Sequence, residues 1–336
     1  MQERETQQEE QPAPPPVRFH VIVLDNLRSA GCATHEEAVA INARGETVGS
    51  ICLEGTARAA YWSAEGELRL LVDKQSKGDS FALDINDAGV AIGYTAQGSS
   101  RSAFRWSIEA GRVELDFPAG AVPLAVDLES MIAFSFPAER AVLSATWHEG
   151  ADTTPLSGLK GDVLVRDVNR SGSLTGIVGG GALPARAFLQ RKGGALLDLG
   201  VAPGFGHSHG NGVNDEDVVV GLCRSDSRQQ ATRWSGDSGP VLLPFAREDD
   251  THSAAFAVNA QGWTVGVEHG QPDSHERSTA VLWIGEVAYE LGPLLIQPQQ
   301  GGPIEVRVAW DVNDQGQIAA RGLVAGQERA LRLDPR

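Results

Sequence analysis

An Ile-Asn or Val-Asn step returns along the chain at Asn42, Asn86, Asn169, Asn214, Asn259 and Asn313, with gaps of 44, 83, 45, 45 and 54 residues. The 83-residue gap is a double interval holding a worn copy, in which Val126-Asp127 stands where Ile-Asn should be. A fixed period of this length means one supersecondary unit copied along the chain, whose apolar face only its neighbours can cover. The surroundings repeat with the Asn. Ile41-Asn42 leads to Gly45, Gly49, Arg58 and Trp62, and Ile85-Asn86 leads to Gly89, Gly93, Arg101 and Trp106.

Each unit reads as four short strands. The first ends at the Asn, whose side chain suits a type I turn because it bonds backbone two residues on. The Gly of Asn-x-x-Gly suits the left-handed position that closes the hairpin. In the fifth unit, Asn214-Asp215-Glu216-Asp217, an Asp must take that place. A second Gly seven residues past the Asn (Gly49, Gly93, Gly176, Gly221, Gly266) predicts close backbone approach or a bulge. A third strand carries a basic residue and an aromatic, as in Arg58–Trp62 and Arg186–Leu189, and a Leu/Val-rich fourth follows. In the worn unit Ser130 and Phe134 replace both glycines, yet Trp147 still lies 20 residues after Asp127.

Four antiparallel strands per repeat make one β-propeller blade. The expected fold is all-β, a seven-bladed propeller. The chain ends after a third strand, and Phe19–Leu24 resembles the missing fourth, so the N-terminal strand is expected to complete the last blade and leave no open seam. Residues 1–16, Gln/Glu-rich and ending in Pro14-Pro15-Pro16, lack the apolar content to order and read as a disordered tail, with one propeller domain over 17–336.

These residues resemble the bacterial HAF-type extracellular repeat, whose pattern runs Ala-x-x-Ile-Asn-x-x-Gly-x-x-x-Gly followed by a His/Arg-Ala-Phe-x-Trp strand. The resemblance spans nearly all of residues 19–333 and implies the fold. It carries no catalytic signature.

A net charge of −16 without Lys/Arg clusters argues against nucleic acid and anionic membranes as partners. No apolar stretch is long enough to span a bilayer, and no basic start with an apolar core follows Met1. A cytoplasmic monomer is expected, or a secreted one if a leader was removed. Cys32, Cys52 and Cys223 argue against a disulfide framework but leave one bond open.

In a repeat fold, chemistry belongs where equivalent positions differ. Seven residues before each turn Asn stand His35, Asp79, Gly120, Asp162, His207, His252 and, in poorer register, Val306. His209 lies two beyond His207 and so on the same side of the strand. If these inner-strand starts ring one opening, they form a His/Asp-lined axial site for a small molecule. His35, His207 and His252 are the candidate ligands of a divalent metal, and His207, His209, Asp79 and Asp162 the candidate catalytic groups for lyase, hydrolase or cyclase chemistry. Two alternatives stay open: a metal-free polar pocket, and a non-catalytic scaffold for a protein or glycan, with Met131–Phe136 as a candidate patch. The recurring Arg58, Arg101, Arg186 and Arg277 read as structural, stacked between blades or paired with Asp84, Asp167 or Asp311. No Gly-x-Ser-x-Gly nucleophile motif occurs.

Overall fold

The structure is a computed structural model that describes residues 17–27, 36–138, 141–147, 153–156, 161–180, 183–236, 238–270, 278–296 and 302–336. Its strands fall into consecutive antiparallel fans, a β-propeller. Among the described residues the inner strands are Glu37–Ile41, Asp79–Ile85, Val122–Val126, Asp162–Val168, His207–Val213, His252–Val258 and Ile304–Val312, and the fans they begin are numbered as blades 1 to 7 in chain order. Blades 5 and 6 join into one sheet through a single parallel pairing, Gln229 with His252. The N-terminal strand Phe19–Val23 pairs antiparallel with the final strand Gln327–Pro335, so blade 7 is built from both ends of the chain. The expected 1–16 tail lies outside the described residues.

The turn Asn explains why the repeat closes. Asn214 Oδ1 accepts from the amides of Glu216 (3.1 Å) and Val218 (2.9 Å), which forms the hairpin. Its Nδ2 donates to the carbonyl of Asn259 in the next blade (3.0 Å). The same bond runs from Asn42 to Asn86, Asn86 to Asp127, Asn169 to Asn214, Asn259 to Asn313, and from Asn313 back to Asn42 (2.9 Å). One residue type thus makes the turn and ties each blade to the next, except at the third, where Asp127 stands in place of the Asn and has no amide to donate. The left-handed position holds even without Gly, at Asp217 (φ 59°) and Ser130 (φ 63°).

Inner strands also carry a bulge three residues before the Asn, seen as a register shift at Ala38/Ala40, Ala82/Asp84, Pro123/Ala125, Val165/Asp167, Gly210/Gly212 and Ala255/Ala257. The second Gly faces the crowded backbone beside it. A Cβ at Gly221 would lie 1.9 Å from the His209 carbonyl oxygen. Between blades sit apolar seams, with Trp62, Trp234 and Trp283 almost fully buried. The worn third blade is packed like the rest: Met131, Ile132, Ala133 and Phe134 are buried, so this stretch offers no exposed patch. Cys52 is disulfide-bonded, and Cys223 is a buried free thiol. No helix among the described residues is long and apolar enough to cross a membrane.

Candidate functional site

The inner-strand starts do not all face the axis. Asp79 Oδ1 accepts the amide of Ala57 (2.9 Å), and His207 Nδ1 accepts that of Ala185 (3.1 Å), each on the third strand of the preceding blade. Ser80, Ser208 and Ser253 repeat this strap one residue on, accepting from Ala59, Ala187 and Ala231. Third-strand amides at a blade seam need acceptors, and these side chains supply them. Asp162 stands opposite Gly179 in its own blade. His252 is buried, bonded through Nδ1 to Thr251 Oγ1 (2.8 Å) and stacked on His269 at 5.3 Å. His35 lies outside the described residues. Among the described residues no three His, Cys, Asp or Glu side chains form a metal-holding group.

The repeated arginines take a different partner from the expected Asp84, Asp167 and Asp311. Arg58 donates to the carbonyls of Lys74, Ser76 and Gly78, and Arg186 to that of Gly206, holding the segments that enter the next blade. Arg101 lies over the Tyr94 ring, 5.5 Å from its centroid. Arg277 lies outside the described residues.

What lines the axis is the bulge column, partly exposed residues flanked on the innermost strands by more buried ones. Blades 1 to 3 contribute Val39, Leu83 and Leu124; blades 4 to 7 contribute Arg166, Asn211, Phe256 and Trp310. One step toward the strand starts stand Phe81, Leu164 and the half-buried His209. Burial, with the Arg166 and Arg224 charges beside it, pushes the His209 imidazole down to about 4, so it is neutral near pH 7. Arg166 is exposed, yet burial against the surrounding protein lowers its guanidinium pKa. Neither the Arg166 nor the Arg224 guanidinium has a carboxylate partner or hydrogen bond among the described residues. Phe256 stacks on Trp310 at 4.8 Å.

Beyond the bulge column the channel turns acidic. Asp84 accepts the amides of Ile85 and, across the seam, Val126 (both 2.8 Å). Asp167 and Asp311 bridge likewise to Val213 and Ile41. In each case the next blade carries a small residue at that level (Ala125, Gly212, Ala40), which makes room for the carboxylate. Burial raises all three, Asp84 to about 7, Asp311 to about 6 and Asp167 well above its ordinary value, with neighbouring carboxylates adding to the effect. They line a cavity of about 150 Å³ with the turn asparagines. Arg170 crosses its outer mouth, reaching Asp87 (2.7 Å), Asp314 (3.1 Å) and Asp215 (3.6 Å) on three other blades. This cavity holds a few waters and is too small for a substrate, since ligand pockets run to about 300 Å³ or more. The partly exposed bulge column around Arg166 and His209 is the better candidate.

The bulge column and the acidic tier were not singled out as a site by the sequence. Their signal is the variation three and two residues before each turn Asn, where the side chains face inward rather than into a seam.

No family model and no curated protein sequence matches this chain. Among solved structures it is similar to a streptogramin B lyase (8% identity, TM-score 0.60, 95% of this chain and 98% of that one). It is also similar to the β-propeller domain of the Trilobed protease from Pyrococcus furiosus (8% identity, TM-score 0.57, 90% and 97%). A third is oligogalacturonate lyase from Vibrio parahaemolyticus (10% identity, TM-score 0.54, 95% and 97%). At these identities the likeness shows the fold alone.

Proposed function

We propose that this propeller, a member of the HAF-type repeat group, binds a small carboxylate-bearing molecule in its axial well and acts on it by acid/base chemistry of the lyase type. The observation that carries the reading is the pair of guanidiniums, Arg166 and Arg224, beside a neutral imidazole on the wall of blade 5. Both guanidiniums are exposed to solvent and so are open to an incoming anion.

The chemistry follows from the charges. Burial is the main cause that depresses His209, and a carboxylate docked on Arg166 and Arg224 offsets the part their two positive charges add, so its basicity rises by that part when substrate is bound. His209 then removes the proton on the carbon next to that carboxylate, while the guanidiniums stabilise the negative charge that develops on its oxygens. Departure of a β-substituent completes an elimination, and the substituent takes a proton on leaving. The reading does not route through a metal, because the described His and acidic side chains do not gather into a ligand set. Two of the solved propellers of this shape are lyases, so the scaffold accommodates such chemistry.

The test compares wild type with His209→Gln and Arg166→Met on a panel of β-substituted carboxylic acids and uronides, following the unsaturated acid by ultraviolet absorbance. Loss of turnover in His209→Gln with binding retained, and loss of binding in Arg166→Met, is the expected pattern. Unchanged binding in Arg166→Met removes the proposal.

A further inference from the structure

We infer that the ligand of the axial well carries a planar aromatic ring as well as a carboxylate; this deepens the site proposed above and rests on the Arg166 anion contact.

The argument is the unequal furnishing of one ring of equivalent positions. Around the bulge column, blades 1 to 3 present aliphatic groups, blade 4 a cation, and blades 6 and 7 a stacked aromatic pair, Phe256 and Trp310, with ring planes 29° apart. Asn211 of blade 5 donates its amide to the Ala255 carbonyl (2.9 Å), which pins the backbone next to Phe256. Leu222, Ala254, Val267 and Val308 pack behind the two rings. Leu222 is the register partner of His209, so the aromatic shelf and the imidazole share one stretch of wall. Large aromatics that fill seams are almost fully buried here, as Trp62, Trp234 and Trp283 are. Phe256 and Trp310, on the innermost strands, instead stay partly exposed.

An aliphatic chain would gain only area from this shelf. A planar ring gains offset stacking as well, about 0.5–1.5 kcal/mol beyond burial, which is about two- to twelvefold in affinity. The carboxylate holds one end on Arg166, and the shelf across the well fixes the ring's plane. Aromatic carboxylates are therefore the class this column discriminates for, with Trp310 and Phe256 as specificity-determining residues.

The probes are benzoate and cyclohexanecarboxylate, equal in charge and close in size, titrated into the full chain and followed by ligand-observed NMR. Wild type is expected to bind benzoate about fivefold more tightly, a preference set by stacking. Trp310→Leu and Phe256→Leu, each checked for an unchanged thermal transition, bring the ratio close to one while cyclohexanecarboxylate binding persists; either variant suffices if the other does not fold. Arg166→Met weakens both probes at least tenfold. Equal affinities in wild type, or a preference that survives both shelf variants, overturn the aromatic assignment and leave the anion site standing. Binding of neither probe, or indifference to Arg166→Met, overturns both.

Discussion

Asp84→Asn separates charge burial from hydrogen bonding in the acidic tier. In the folded chain burial holds the Asp84 carboxyl at about 7, against an ordinary 3.8. The folded state therefore keeps a proton that the unfolded chain releases, and stability falls as pH rises from about 4 to about 7. From pH 5 to pH 8 the folded chain passes through about two units of that gap (7 minus 5). At about 1.4 kcal/mol per unit this removes about 3 kcal/mol of stability, somewhat less because part of the carboxyl meets channel water. Asparagine has no charge to bury, but it keeps one oxygen for two amides, those of Ile85 and Val126. Leaving one amide without its acceptor costs about 1–3 kcal/mol at any pH. The substitution should therefore destabilise at pH 5 and become neutral or stabilising at pH 8. Relief of the Asp84 charge on Asp167 pushes the same way. Urea unfolding followed by tryptophan fluorescence at both pH values measures this, with equal m-values as the check on comparability. A stability difference of the same sign and size at pH 5 and pH 8 would refute the reasoning.

Further tests bear on the ring and its mouth. Asn259→Ala removes the turn acceptor and the bond to Asn313, and should lower stability by about 2–3 kcal/mol, read from the urea midpoint. Gly221→Ala drives a methyl into the His209 carbonyl and should cost more than about 3 kcal/mol, or abolish soluble expression. Asp127→Asn gives the worn blade the amide that other turn residues donate across the seam and should raise stability by about 1 kcal/mol, seen as a thermal midpoint a few degrees higher. Arg170→Ala, whose partners are part-exposed, should change stability by less than about 1 kcal/mol, with the wild-type difference fading in high salt.

The blade was legible because its turn chemistry is local. Asn-x-x-Gly specifies a hairpin from four residues, and even Asp217 and Ser130 could be read as stand-ins for Gly in left-handed backbone. The pairing of Phe19–Val23 with the last strand was legible because a fan short of one strand leaves unpaired amides. The site proposed here lies one level along the strands from the expected one. Columns of His and Asp at strand starts look like a rim, but whether a side chain meets the axis or a seam depends on the neighbouring blade. For Asp79 and His207 the amides of Ala57 and Ala185 decide it. The bulge at Arg166, Phe256 and Trp310 is a register shift between paired strands, a three-dimensional effect with only a faint trace in the sequence.

The joint between Phe19–Val23 and Gln327–Pro335 has a consequence for biogenesis. Phe19–Val23 is made long before it can pair, since its partner lies more than 300 residues downstream. Until then the nascent protein carries an unmatched β-edge at each end of a growing arc, a state prone to joining a second copy. Arrival of Gln327–Pro335 at Phe19–Val23, rather than any single blade, is the event that makes this ring safe from its neighbours.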